Sequence, residues 1–385
     1  MKVLHIIKTN TGASWAFNQI EKLQAMGVKV VVMLPKKDLG YALAYKELGI
    51  KVIAFDASLP VKQPWLLFSR IQRFRNIVNK IKPDMIHCHF LTNIMFARIA
   101  LRNTNIPRLF QVPGPLHLEY ALFRKAEIML SNDYDYWAGS CQKTCNIYRT
   151  TKIPKDRIFF GYYTSDFDQN IKNAVRTGKL RKEYSIPEDT FLIGTVSYFY
   201  KPKYFLLQFK GIKGHEDFIQ AFSLLNKKYP NTKAMIIGGP APKSEHYMHR
   251  LMKMAKKKCG DTIIFTGFRT DLNTIYPELD LAVHPSRSEN YGGCCESISY
   301  GVPTLTTDVG GFPDFIKDKK TGYMVPAANP IKLAKKMEYV INNYDKAKQV
   351  TVNGQNLINT INSDLSAKQA LYMYETILSK ERKLY

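Results

Sequence analysis

A chain of 385 residues that is 45% hydrophobic and 12% aromatic has apolar material for two packed domains of about 150–200 residues, which excludes the disordered class. Its formal charge of +24 is spread over both halves, so there is no basic tail; the charge offers attraction to anionic substrates or an anionic membrane surface, with a plainly basic protein as the competing reading. No apolar run reaches about 18 residues, Met1–Lys8 is too short for a signal peptide, and the six cysteines form no CxxC pair; neither a membrane span, a disulfide framework nor a zinc site is expected, and a reducing cytoplasm is.

Val3–Ile7 reads as a first strand. Thr9–Ser14 is a loop opening a helix through Trp15, Phe17, Ile20 and Leu23, and Gly12 within it suits a close approach of backbone to ligand. Val28–Leu34, Lys51–Phe55, Met85–His89 and Arg108–Val112 follow as strands separated by helical lengths, so a parallel sheet with helices on both faces is expected. Pro64–Lys82 has a helical pattern. Phe68, Ile71, Ile77, Val78 and Ile81 mostly share one side, and Arg70, Arg73, Arg75, Lys80 and Lys82 populate the remainder. Such a helix either lies on anionic lipid or crosses over with its apolar side on the sheet; exposure of Trp65, Leu66 and Phe68 discriminates. His117, in Val112–Glu119, is either a cleft residue or a buried structural histidine. Asp133-Tyr-Asp135 has the Asp-x-Asp form of a metal site, but so short a pattern occurs often by chance.

Arg149–Glu188 is Lys-rich without sustained periodicity and reads as the hinge, with the crossing at Asp166–Tyr184. A second βα series follows, with strands at Phe191–Ser197, Lys233–Ile237, Thr262–Phe265, Leu281–His284, Thr304–Thr307 and Gly322–Val325, and a final helix over Ala367–Leu384. Two of its loops carry chemistry. Gly211-Ile-Lys213-Gly214-His215 immediately precedes a helix at Asp217–Leu225, where a lysine adds full charge to an amide dipole that already attracts phosphate. Pro285–Pro303 places Glu289 and Glu296 on either side of Gly292-Gly293. A carboxylate accepts strong hydrogen bonds from a diol, and glycine amides near a helix start suit an anion; Glu296 as a mere first-turn acid is the competing reading. Sugar nucleotides offer both features. No HExxH, Walker, Gly-x-Ser-x-Gly or GxGxxG pattern is present.

These motifs resemble the donor site of the retaining glycosyltransferases of family four, which have the GT-B fold of two Rossmann-like, doubly wound α/β domains facing a central cleft. The resemblance covers most of the chain, with its specific motifs in residues 190–325. The chain departs from the pattern at several places. Six residues separate the two glutamates where the family usually has seven, and Ser297 and Ser299 stand for alanines. Gly12-Ala13 is followed by Ser14 rather than Glu. No arginine occurs in Ser197–Lys203, leaving Lys201 or Lys203 as the second diphosphate cation, without a guanidinium fork.

The resemblance implies an acceptor-binding domain over 1–170, a nucleotide-sugar domain over 185–365, and a helix over 366–385 returning to the first domain. It implies donor binding through Gly12, Lys203, Lys213, Gly238, Glu289, Asn290, Tyr291, Gly292, Gly293 and Glu296. Within that set Lys213 would meet the diphosphate, Glu296 the ribose diol and Glu289 the sugar hydroxyls. Lys213, Glu289 and His117 are the catalytic candidates, His117 on the sugar and acceptor side. The implied donor is a UDP- or GDP-linked sugar, and the acceptor a glycan or lipid-linked glycan of cell-surface polysaccharide assembly. Neither cofactor nor metal is implied, and the setting is cytoplasmic or at the inner membrane face. Rival readings are a GT-B epimerase or phosphorylase, a silent sugar-binding protein, and a nucleic-acid-binding protein. The last lacks support, because the only dense basic run, Lys253–Lys258, looks like a solvated helix face.

Overall fold

The computed structural model describes residues 1–164, 171, 174–204 and 207–382. The chain divides into two compact units, Met1–Asp166 with Ile361–Tyr385, and Phe167–Thr360. The crossing assigned to Asp166–Tyr184 lies in part outside the described residues.

The first unit is built on seven strands: β1 (Lys2–Ile6), β2 (Lys29–Leu34), β3 (Lys51–Ala54), β4 (Met85–His89), β5 (Arg108–Val112), β6 (Asp135–Gly139) and β7 (Ile158–Phe160). They form one sheet in the order β3-β2-β1-β4-β5-β6-β7, every pair parallel. Its central strands, from Val-rich β2 to β4 and β5 with their buried His, Arg and Gln, are buried on both faces, as a parallel sheet covered by helices requires. The strands β6 and β7 were not expected from the sequence.

The helix Ser363–Arg382 belongs to this unit although it ends the chain. Ala367, Ala370, Met373, Tyr374 and Ile377 enter the same buried cluster as Ala16, Ile20 and Leu23 of the helix Ser14–Ala25. Burial of Met373 or Ile377 contributes about 1.5–3 kcal/mol each. Polar groups fix the docking: Gln19 Nε2 donates to Ser366 Oγ at 3.0 Å, and His87 Nδ1 meets the Tyr374 hydroxyl at 2.6 Å.

The helix Leu67–Ile81 divides the two readings of its sequence between its two ends. Phe74, Val78 and Ile81 are buried against the sheet, as a crossover helix demands. Its first turn and the short 3-10 turn before it point Trp65 and Phe68 into solvent, 72% and 71% exposed, with Leu66 at 36%.

The second unit repeats the architecture with β8 (Phe191–Val196), β9 (Thr232–Ile237), β10 (Ile263–Gly267), β11 (Leu281–His284), β12 (Thr304–Thr307) and β13 (Tyr323–Val325). Their order is β10-β9-β8-β11-β12-β13, again wholly parallel. In both sheets the winding reverses beside the first strand, between β1 and β4 and between β8 and β11. The carboxyl ends of the strands at such a reversal leave a crevice for a ligand. Among the described residues, no helix is long and apolar enough to cross a membrane.

Candidate functional site

The crevice at the β8/β11 reversal is a cavity of about 430 Å3 inside the second unit. The end of β8 supplies Thr195 to Tyr198, the end of β11 supplies His284 to Ser286, and Lys213, Gly238, Glu289, Gly292, Gly293 and Glu296 complete its polar side. Six of the residues predicted from sequence to bind donor are thus brought together here, from loops up to about eighty residues apart in the chain.

Close backbone approaches hold those loops. Gly214 has φ +71°, and a side chain there would collide with the Pro285 carbonyl, so only glycine lets the Lys213 loop lie against the end of β11. The Arg287 amide donates to the Ile212 carbonyl at 2.7 Å, and the Arg287 guanidinium pairs with Asp217 at 2.6 Å. Gly310, at φ +54°, plays the corresponding part for Glu289, whose backbone carbonyl leaves no room for a Cβ at that glycine.

Lys213 Nζ donates directly to Glu289 Oε2. Burial pushes the Glu289 carboxyl up, but the Lys213 ammonium beside it outweighs burial and holds it below the ordinary carboxylate value. The pair is therefore an ionised clamp whose lysine is available to a stronger anion. Glu296 stands on the helix Gly292–Ser299, where its Oε2 accepts from the Tyr276 hydroxyl at 2.9 Å. Burial raises its carboxyl, against the opposing pull of the Tyr276 bond. Such a group, short of hydrogen bonds for its charge, gains from two hydroxyl donors.

Ser297, found where an alanine was expected, has a local reason. Its hydroxyl meets Nε2 of buried His284 at 3.0 Å and Thr304 Oγ1 at 2.9 Å. Burial lowers His284 to about 4, so a neutral imidazole lines the cavity floor.

The structure separates the remaining predicted residues. Tyr291 is buried against Phe315, 4.5 Å between ring centroids, and Asn290 offers its backbone amide to Glu289 Oε1 at 3.1 Å; neither lines the cavity. Lys203 lies on an exposed loop, its own amide bonded to Gln208, and is not among the lining residues. Arg269 lines the cavity instead, with its guanidinium committed to both oxygens of Asp271 at 2.8 and 2.7 Å and to Glu183. Sequence reasoning missed it because it follows β10, two strands away from where an arginine was sought. It also missed the aromatic rim. Tyr198 and Phe268 stand 46% and 61% exposed and are stacked at 6.0 Å with their planes 24° apart.

Gly12 and His117 belong to the first unit. Gly12 has φ +74° in an open loop where a Cβ would meet nothing within 4 Å. His117 Nε2 lies 2.9 Å from Glu127 Oε2. Glu127 is fully buried and also accepts from Tyr148 at 3.1 Å. Burial pushes its carboxyl up, but Arg98, with His117 and Tyr148, holds it below the ordinary value. His117 is therefore oriented by a buried carboxylate and is not a free core histidine.

The Asp-x-Asp pattern is dispersed. Asp135 opens β6 inside the core, paired with Arg108 at 2.7 Å and Arg98 at 3.4 Å, whereas the Asp133 side chain is 98% exposed. All six cysteines are free thiols. One group of three metal-capable side chains occurs among the described residues: His5, His87 and His89, with ligand atoms within 4.8 Å of one another. All three are fully buried, and their ring nitrogens engage one another and the hydroxyls of Tyr163 and Tyr374. Burial lowers all three, so they form a neutral, hydrogen-bonded set of imidazoles.

Two doubly wound, parallel-sheet units, the second with a cavity at its winding reversal, have the architecture of the GT-B fold. The family description "Glycosyl transferases group 1" matches residues 178–357, and "Glycosyl transferase 4-like" matches residues 2–127. Each half of the chain thus matches a glycosyltransferase family model. It is 22% identical to the capsular polysaccharide biosynthesis glycosyltransferase CapM of Staphylococcus aureus, over 98% of each chain. The fold matches Anabaena HepE, solved in complex with UDP, with a TM-score of 0.77 at 17% identity over 98% of this chain and 100% of that one. It matches sucrose-phosphate synthase of Thermosynechococcus elongatus equally, with a TM-score of 0.77 at 17% identity over 99% and 100%.

Proposed function

We propose that the protein transfers a glycosyl group from a nucleoside-diphosphate sugar to a glycan or lipid-linked acceptor, with retention of anomeric configuration. The observation that carries this reading is the Lys213–Glu289 clamp beside Glu296 at the β8/β11 reversal. A lysine, the Gly292-Gly293 amides at a helix start and two carboxylates answer the diphosphate, ribose and sugar of such a donor part by part. The stacked Tyr198 and Phe268 give a nucleobase an aromatic face. HepE is known with both UDP and UDP-glucose, which supports a uridine donor. CapM, by its name, works in capsular polysaccharide biosynthesis, which supports a cell-surface glycan as the product.

In the reaction proposed, the bond from the anomeric carbon to the diphosphate oxygen breaks and a bond to an acceptor hydroxyl oxygen forms on the same face. The hydroxyl proton passes to the departing diphosphate, so no protein nucleophile is required. Charge growing on the leaving group is met by Lys213 and the helix amides, already in place before the donor arrives, and no metal is needed. On this reading Glu289 exchanges its lysine partner for the sugar hydroxyls, and His117 orients the acceptor.

The test is slow donor hydrolysis followed by proton NMR. Release of the α-anomer first from UDP-α-glucose, or from whichever α-linked donor is turned over, is the expected result. First release of the β-anomer would overturn retention, and sugar isomerisation without release would favour an epimerase.

A further inference from the structure

From Ala57 to Pro83 the chain carries six cations, Lys62, Arg70, Arg73, Arg75, Lys80 and Lys82, and no carboxylate. Three of these make contacts within the first unit. Arg70 lies over the Phe55 and Phe96 rings and pairs with Asp56, Arg73 lies 5.9 Å from the Phe55 ring centroid while staying exposed, and Arg75 donates to the Ala100 carbonyl at 2.5 Å. Lys62, Arg73, Lys80 and Lys82 are exposed. In the same stretch Val61 to Leu66 are all exposed, Val61 at 80%, and Trp65 and Phe68 follow the same course. Docking of the helix Leu67–Ile81 is already accomplished by Phe74, Val78 and Ile81, so the exposed apolar groups perform no packing service. An indole, a phenyl ring and a valine held in water cost free energy that another surface recovers on covering them.

We propose that Val61–Phe68 is a membrane-docking segment that seats on an anionic bilayer. Trp65 and Phe68 enter the boundary between headgroups and acyl chains, and Lys62 and Arg73 meet lipid phosphates. The charge pattern selects the occupant. Four exposed cations with no acid among them complement an anionic lipid surface, whereas the cores of protein–protein contacts are depleted in lysine. Tryptophan, apolar with one N–H, is suited to the headgroup level. Two weak signals, apolar insertion and basic attraction, together give a reversible attachment. The proposal concerns the first unit alone and does not depend on the donor-site reading.

The chain has three tryptophans, and Trp15 is half-buried and Trp137 buried, so emission from a solvent-exposed indole belongs to Trp65. The full-length protein is titrated with vesicles of phosphatidylglycerol and phosphatidylcholine in equal parts, and with phosphatidylcholine alone. A blue shift with the first only, weakening as salt is raised, is expected. Lys62→Ala with Arg73→Ala should weaken sedimentation with the anionic vesicles about thirtyfold, since each cation near such a surface contributes on the order of a factor of five to ten. Trp65→Ser with Phe68→Ser should abolish it while leaving the thermal midpoint unchanged, which shows the fold intact. Absence of anionic-vesicle binding by the wild type would overturn the proposal, as would undiminished binding by the Trp65→Ser, Phe68→Ser protein. A wild-type dimer that this variant converts to a monomer, without vesicle binding by either, would assign the segment to a protein interface and overturn it equally.

Discussion

Lys213 and Glu289 neutralise one another; in the proposed reaction a diphosphate displaces the carboxylate, so the lysine contributes most when negative charge develops on the leaving group. Lys213→Ala is expected to lower turnover about 100-fold or more, the scale at which preorganised charges act. An unchanged rate would remove Lys213 from the site. Glu296 makes a different prediction. Because burial raises its carboxyl, it takes up a proton at a higher pH than an ordinary carboxylate, and the protonated group loses acceptor capacity. Nucleotide affinity should fall as pH drops through that raised value, and Glu296→Gln should be weak and flat across the same range when both are titrated by calorimetry. A pH-independent wild type would contradict the ribose role.

At the scale of elements, the site depends on loops pressed together where only glycine fits. Gly214→Ala places a Cβ against the Pro285 carbonyl at a positive φ. It should destabilise the protein by more than about 1 kcal/mol and displace Lys213, lowering nucleotide affinity as well. An unaltered midpoint in thermal unfolding would show that the loop has slack. This is also where reading the sequence succeeded and failed. Met85–His89, Arg108–Val112, Leu281–His284 and Thr304–Thr307 match the observed strands end to end, because each is opened by a preceding aspartate or proline (Asp84, Pro107, Asp280 and Pro303). Asp135–Gly139 was passed over because it opens on a carboxylate, a signal that reverses once Arg98 and Arg108 are seen beside it in the core. Ile158–Phe160 is three residues long and follows Lys155–Arg157, too short for a pattern. The glutamate and lysine loops were legible because their chemistry is local. Arg269 and the Tyr198–Phe268 stack were not, because they become neighbours only when β8 and β10 are aligned with β9 between them.

Across the whole molecule, five imidazoles are buried without acquiring charge. Burial lowers His5 and His215 to about 3 and His284 to about 4, and holds His87 and His89 well below the ordinary 6.5. The unfolded chain takes up these protons near 6.5 and the folded chain does not. Stability is therefore complete above that value and falls as pH drops from about 6.5 towards 4, by about 1.4 kcal/mol per pH unit for each imidazole. The thermal midpoint should already decline between pH 7 and pH 5, before ordinary carboxylates titrate; a flat profile there would contradict the burial of these histidines. The same unfolding experiment at neutral pH tests the central claim most directly, with UDP, GDP and ADP and their sugars each added with and without EDTA. A ligand at about 100 times its dissociation constant adds roughly 2.7 kcal/mol, a shift of several degrees. The account predicts such a shift for one nucleotide, UDP by the present reading, undiminished by EDTA. No shift with any nucleotide, or a shift that EDTA removes, would contradict a metal-independent nucleotide-sugar site in the second unit.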